Sequence, residues 1–310
     1  MRVHKKPFAV VSLTLLFLVG LGLLAPQIPL LAGESGYDIV IVAGQSNAVG
    51  RGTGPFDDRF ASTNIDARIQ QLGRIGAENM QVIPIGYVSQ GVKYDGLQHW
   101  GFGDSEDRRT RMGFALSFAR MYVKKQLAPG RTVLIVPAAY GGTTIARWVN
   151  DSAELPLYSD MVARTQAALA LPGENRLVAF LWSQGEQDVL NNTDPSVYRQ
   201  KLIELFARLR TDLPQTRPYP IVAGRFVPTW LATSTQKENI EKVILRAVRA
   251  DLFAGMVSVQ GLTSNLDDGV GSDSVHFSAA SQVTYGSRFY SAWRALVEPT
   301  PYISSAPSEE

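Results

Sequence analysis

Three histidines occur in the chain: His4, His99 and His276. Imidazole is the side chain that titrates near neutrality unperturbed, so it is the natural general base for activating a hydroxyl. His4 lies in a basic and apolar N-terminal segment and His99 in a Trp-Gly loop, which leaves His276 for such chemistry. Asp273 stands three residues earlier, a spacing that lets a carboxylate reach the ring on a tight turn and fix its tautomer. The same Asp273-Ser274-Val275-His276 run also suits a helix N-terminus before Ala279, with Asp273 as the cap. The complementary hydroxyl is Ser46, in Gly44-Gln45-Ser46-Asn47-Ala48-Val49-Gly50. A serine, a histidine base and an orienting acid are what acyl transfer through a covalent intermediate requires, together with donors for the oxyanion. Taken alone, the serine turn equally suits an ordinary strand-to-helix connection capped by Ser46 or Asn47.

The elements that would hold these residues follow from the apolar pattern. Asp38-Ile39-Val40-Ile41-Val42-Ala43 has no polar alternation and is β-branched at four positions, as expected of a strand buried on both faces. Four further strands are expected at 132–137, 176–182, 220–224 and 255–259, and two short ones at 67–71 and 81–86 in the long polar region before Arg111. Helical spacing recurs at 114–126, 157–171, 195–211, 236–250 and 278–297, with Pro195 in a first turn and Pro172-Gly173 after another segment. Alternating strands and helices predict right-handed βαβ units: a three-layer α/β/α sandwich on a five-stranded, mostly parallel sheet. Ligands of such sheets collect at the carboxyl ends of the strands. The polar clusters fall there: Ser46, Gly141-Gly142, Gln184 to Glu186, and Asp267 to His276.

These clusters resemble a known family. Gly44-Gln45-Ser46-Asn47-Ala48, Tyr140-Gly141-Gly142-Thr143, Trp182-Ser183-Gln184-Gly185-Glu186 and Asp273-x-x-His276 stand in the order of the four blocks of SGNH hydrolases. More closely, the chain resembles the sialate O-acetylesterase-like carbohydrate esterases, a branch that includes acetylxylan esterases. The resemblance covers residues 37 to 297 and implies a flavodoxin-like SGNH hydrolase fold. It makes Ser46 the nucleophile, His276 the base and Asp273 its acid. It also implies an oxyanion hole of the Ser46 backbone N–H, a backbone N–H of Gly141 or Gly142, and the Gln184 side chain, where the wider superfamily has Asn. A Gln amide can donate the same bond. Glu186, in the same block, is an alternative acid. The implied activity is hydrolysis of acetyl or short acyl esters on carbohydrates. An O-acyltransferase with the same triad and a non-catalytic carbohydrate-binding protein on this fold are the alternatives.

Composition bounds the remainder. With 310 residues and 45% hydrophobic content, one large domain with a substantial core is expected. There is no cysteine, which excludes disulfides, thiol catalysis and Cys-based metal sites. No cofactor or metal is expected. Arg2, Lys5 and Lys6 precede an apolar run from Phe8 to Ala25, about 18 residues and just long enough to span a bilayer. Residues 1–32 are therefore expected to be a signal peptide or an N-terminal membrane anchor, placing the rest outside the cytoplasm (periplasmic, extracellular or anchored). That segment holds three Lys or Arg and no Asp or Glu, so the remainder carries 27 basic against 28 acidic side chains. The remainder has no basic patch interleaved with aromatics, and no nucleic-acid partner is expected. An acetylated carbohydrate is the expected partner, with the membrane touched only through residues 1–32 if these are uncleaved. Residues 298–310, rich in Pro and Ser, are expected to form a flexible tail.

Overall fold

In the computed structural model, residues 35–100 and 110–298 are described. The expectations for residues 1–32 and for 299–310 lie outside the described residues. In chain order the strands are β1 (Gly36–Gly44), β2 (Ile69–Leu72), β3 (Val82–Pro84), β4 (Tyr87–Ser89), β5 (Val92–Tyr94), β6 (Arg131–Pro137), β7 (Arg176–Ser183), β8 (Ile221–Ala223) and β9 (Ala254–Met256). The helices are α1 (Ser46–Val49), α2 (Ala115–Lys125), α3 (Ile145–Val149), α4 (Leu157–Leu169), α5 (Glu186–Leu190), α6 (Pro195–Asp212), α7 (Pro228–Leu231), α8 (Thr235–Val248) and α9 (Ala279–Val297). Among the described residues no helix is long and apolar enough to cross a membrane.

The central sheet has seven strands in the order β3-β2-β6-β1-β7-β8-β9, parallel except where β3 runs against β2. The five-stranded expectation is corrected here. The two short runs before Arg111 join the sheet as β2 and β3 on the outer side of β6, instead of remaining apart from it. A separate β4–β5 hairpin also forms in that region. Strand β1 lies between β6 and β7, and Ile39 through Ala43 have no exposed surface, which explains their unbroken apolar pattern. On one face α2 packs on α9, with the Phe114 and Phe289 rings stacked at 4.2 Å. The approach is close enough that a Cβ on Gly286 would lie 2.1 Å from the Phe114 carbonyl oxygen. Helices α6 and α8 pack together, and α6 also packs on α3.

The amino ends of the central strands are tied by one buried charge. Asp38 is fully buried on β1 and accepts from Arg131 Nε at 2.7 Å, Arg176 Nε at 2.8 Å and Tyr122 Oη at 2.6 Å. Arg131 and Arg176 open β6 and β7, so three adjacent strands share this cluster. Burial would raise the Asp38 carboxyl, but hydrogen bonds from Arg176, Tyr122 and Arg131 outweigh it and hold the group below its ordinary value.

Removing that charge orphans the guanidinium of Arg131, whose side chain is 2% exposed. We expect Asp38→Asn to lower unfolding stability by about 3–5 kcal/mol, the scale for breaking a buried ion pair. Because the folded carboxyl titrates below the unfolded one, its contribution is complete above the unfolded value and disappears as pH falls through the folded value. Urea unfolding should therefore show a wide gap between wild type and variant near neutrality that narrows in acid. Equal stabilities at neutral pH would rule out this role.

Candidate active site

The site stands on the turns that leave the carboxyl ends of β1, β6 and β7. Strand β1 ends at Gly44, with φ of +121°, where a Cβ would lie 2.1 Å from the Ser183 carbonyl oxygen. Only glycine allows the chain to pass β7 this closely. Gln45 N–H then donates to Ser183 O at 2.8 Å, and Ser46 opens the single turn α1. As the first residue of that turn, Ser46 has a backbone N–H with no intrahelical acceptor. The β6 turn is fastened to the same strand, with Tyr140 N–H donating to Gly44 O at 2.9 Å. A Cβ on Gly141 would stand 3.9 Å from Ser46 Cβ, so this peptide packs directly on the serine, whereas Gly142 faces Gln187.

His276 arrives from the loop between β9 and α9. Its Nε2 is 2.7 Å from Ser46 Oγ, and its Nδ1 is 2.7 Å from Asp273 Oδ2. Asp273 Oδ1 also accepts from the backbone N–H groups of Val275, at 3.0 Å, and His276, at 3.1 Å. Asn265 Nδ2 donates to Asp273 Oδ2 at 3.0 Å. Burial would raise the Asp273 carboxyl, but the hydrogen bond and charge of His276, then Asn265 and the backbone donors, hold it well below its usual value. An ionised carboxylate only accepts, so Nδ1 carries the imidazole proton and Nε2 is left to accept from Ser46 Oγ–H. The three residues singled out from spacing and elimination are thus in contact across 230 positions of sequence.

Gln184 is placed differently from expectation. Its Nε2 donates to Asp188 Oδ2 at 2.5 Å and Thr143 O at 2.8 Å, and its Oε1 accepts from Tyr198 Oη at 3.0 Å. Both amide protons are engaged within the fold, and Gln184 is not among the residues lining the cavity at Ser46. The side chain that reaches the cavity from this network is Gln45. Its Oε1 accepts from Gly185 N at 3.2 Å, Gln187 N at 3.1 Å and Gln184 Nε2 at 3.2 Å. Three donors on one oxygen fix the orientation of the amide. No sequence signal distinguishes Gln45 from Gln184, because the choice depends on which glutamine the third turn holds by its backbone.

Glu186 does not touch His276 Nδ1, where Asp273 sits. It is buried and accepts from Asn47 Nδ2 at 2.6 Å through Oε1. Burial raises its carboxyl above the ordinary range, against the opposing effects of the Asn47 hydrogen bond and His276. The cavity has a volume of about 510 Å³, and its lining includes Ser46, His276, Gln45, Tyr140, Gly141, Gly142 and Glu186 together with Arg51, Trp100, Arg111 and Leu190. The last four escaped sequence reading, since they come from irregular loops and a helix end with no shared spacing.

Serine, histidine and acid in contact at the carboxyl edge of a parallel sheet, with the four sequence blocks in order, define an α/β protein of the SGNH type. Residues 36–295 match the family described as carbohydrate esterase, sialic acid-specific acetylesterase, and the chain belongs to that family. It is similar to a "Probable 9-O-acetyl-N-acetylneuraminic acid deacetylase" of Escherichia coli (strain K12), 29% identical over 58% of this chain and 61% of the relative. It is also similar to a "Probable carbohydrate esterase" of Arabidopsis thaliana, 33% identical over 56% of this chain and 64% of that protein. The matched part thus spans less than two thirds of either relative. The crystal structure of NanS shares the fold, with a TM-score of 0.64 at 22% identity over 84% of this chain and 97% of that one.

The geometry separates the two candidate acids. Asp273→Asn should lower turnover of a chromogenic acetyl ester by about 10⁴-fold, the scale for a histidine left in the wrong tautomer. Glu186→Gln, which keeps an acceptor toward Asn47, should be far milder. The reverse order of damage would transfer the acid's role to Glu186.

Proposed function

We propose that this protein is a serine esterase that removes acetyl or other short acyl groups from carbohydrates. The observation that carries this reading is the unbroken line Ser46 Oγ, His276, Asp273, with 2.7 Å at each step. Ser46 Oγ attacks the ester carbonyl as its proton passes to His276 Nε2, and the imidazolium that forms is stabilised by Asp273. The tetrahedral oxyanion collapses, the sugar oxygen leaves with the proton from His276, and an acyl-serine remains. Water, deprotonated by His276, attacks that ester and releases the carboxylic acid, returning the proton to Ser46. The oxyanion donors in this reading are the Ser46 N–H, the Gly141 N–H (with Gly142 as its neighbour on the same turn) and Gln45 Nε2. The first two stand on backbone beside the nucleophile, and the third on an amide whose oxygen is pinned by three donors. Such groups act where charge develops, so they favour the transition state over the bound ester.

The substrate class in this reading is supported by the cavity and by the relatives. Trp100 is among the residues that line the cavity and offers an aromatic surface for a sugar ring. The deacetylase name of the Escherichia coli relative supports an acetylated acidic sugar. We expect acetate release from acetylated acidic sugars to exceed release from neutral acetylated glycans.

Ser46→Ala should abolish ester hydrolysis, by about 10⁴-fold or more, with the melting temperature essentially retained. Gln45→Ala should lower kcat by roughly 10²- to 10³-fold with little change in KM, as for other oxyanion donors. Near-normal turnover in Ser46→Ala would overturn the mechanism. An effect of Gln45→Ala confined to KM would remove Gln45 from the oxyanion hole.

A further inference from the structure

The turn that follows β7 holds both residues that flank the nucleophile. Its backbone N–H groups at Gly185 and Gln187 grip the Gln45 side chain from one side of Ser46. From the other side, its Glu186 side chain grips Asn47. The Asn47 amide is fully buried, and both its Nδ2 and its Oδ1 are hydrogen-bonded. One N–H donates to Glu186 Oε1 at 2.6 Å and the other to Val275 O at 3.2 Å, while Oδ1 accepts from Phe277 N at 3.2 Å. Val275 and Phe277 are the two neighbours of His276. A single amide therefore holds the chain before and after the histidine, and does so from the residue next to Ser46.

We propose that Glu186 is a positioning residue for this reaction: acting through Asn47, it fixes the His276 backbone so that the imidazole meets Ser46 Oγ. This rests on the serine esterase reading above. Asp273 orients the ring of His276, but it belongs to the same loop and cannot place that loop relative to the serine. Asn47 ties the two residues around His276 to the residue next to the serine, beside the support that Asn265 gives the loop, and Glu186 supplies the acceptor that keeps the second Asn47 N–H from swinging away from Val275 O. A carboxylate held inside the fold suits this task because its oxygen is a strong acceptor for an amide N–H. Burial, which favours the protonated form, leaves Oε1 able to accept as a carbonyl. Glu186 contacts neither the serine nor the ring in this role, so its effect reaches the reaction only through Asn47.

The test is a cycle of Glu186→Ala, Asn47→Ala and the double variant, with Glu186→Gln as the conservative replacement and Ser46→Ala as the inactive reference. Each is assayed for kcat and KM on a chromogenic acetyl ester, with melting temperature alongside. Each single alanine variant should lose roughly 10- to 100-fold in kcat with KM nearly unchanged, because a small displacement of a reacting group is costly. The double variant should lose about as much as the worse single one, since residues acting in series do not add. Glu186→Gln should retain most of the activity. Full kcat in Glu186→Ala, multiplicative losses in the double variant, or a loss in Glu186→Gln as large as in Glu186→Ala would each overturn the proposal. Should the alanine variants fail to fold, Asn47→Asp alone and combined with Glu186→Gln replaces them. The combined variant reverses the polarity of the Asn47–Glu186 bond and should recover part of the kcat lost by Asn47→Asp; no recovery would count against the proposal. If Ser46→Ala keeps turnover, the esterase reading itself fails. If it is inactive while Glu186→Ala is normal, only the positioning role fails.

Discussion

The site depends on how closely β1 and β7 approach at their carboxyl ends. With Gly44 against Ser183, the two backbones meet with no side chain between them, and Gln45 N–H closes the contact on Ser183 O. Any residue with a Cβ at position 44 would have to push the strands apart and would also strain φ. From that contact the chain turns over the β7 loop. The Gln45 side chain then lies within reach of the Gly185 and Gln187 N–H groups, and Ser46 projects beside the β6 turn. The β6 turn is hung from the same strand, since Ala138 N–H donates to Val42 O and Tyr140 N–H to Gly44 O. Three turns of distant sequence thus take their positions from the last residues of β1.

The two ends of this strand are held by different physics. At the amino end a full charge is buried among two arginines and a tyrosine, an arrangement that is stable only while every partner is present. At the carboxyl end the contacts are mostly hydrogen bonds to amides and peptide groups. The buried carboxyls there, Glu186 and Asp188, are both raised by burial, against hydrogen bonds from Asn47 and Gln184 that only partly oppose it. The Asp38 cluster thereby lies a strand's length from Ser46.

What could be read from the sequence follows the range of the interactions concerned. The central strands were legible because burial on both faces leaves an unbroken β-branched run, and helices such as α6 and α9 because their spacing and first-turn residues are local. That Ser46, Asp273 and His276 would meet was legible because few residue types suit acyl transfer and two of the three stand three positions apart. The roles of Gln45 and Gln184 were not, since either amide suits the task and the assignment depends on a backbone contact between residues 139 and more positions apart. The sheet's outer strands β2 and β3 are three or four residues long, so their pattern shows a strand without showing which sheet it joins. Arg51, Trp100 and Arg111 reach the cavity from irregular loops, where no periodicity points to a common face.

His276 is the part of the site that the central sheet does not hold. It belongs to a loop between β9 and α9, whose backbone is placed by a short antiparallel bridge to residues 263–266 and by side chains. Asn265 is central to this. Its Oδ1 accepts from Thr53 N at 2.9 Å and Thr53 Oγ1 at 2.8 Å, while its Nδ2 donates to Arg51 O and to Asp273 Oδ2, both at 3.0 Å. Residues 51–53 follow directly from the Ser46 turn, so the segment that carries the serine onward also carries the support of Asp273. At the other end of the loop, Ala279 N–H donates to Thr53 O, and Gln282 Nε2 on α9 donates to Asn47 O. The serine and the histidine are therefore not two rigid points brought together by a shared sheet. They are ends of one hydrogen-bonded unit that runs from Ser46 through Asn47, Arg51 and Thr53 to Asn265 and Asp273, and the sheet needs to position only its first residue.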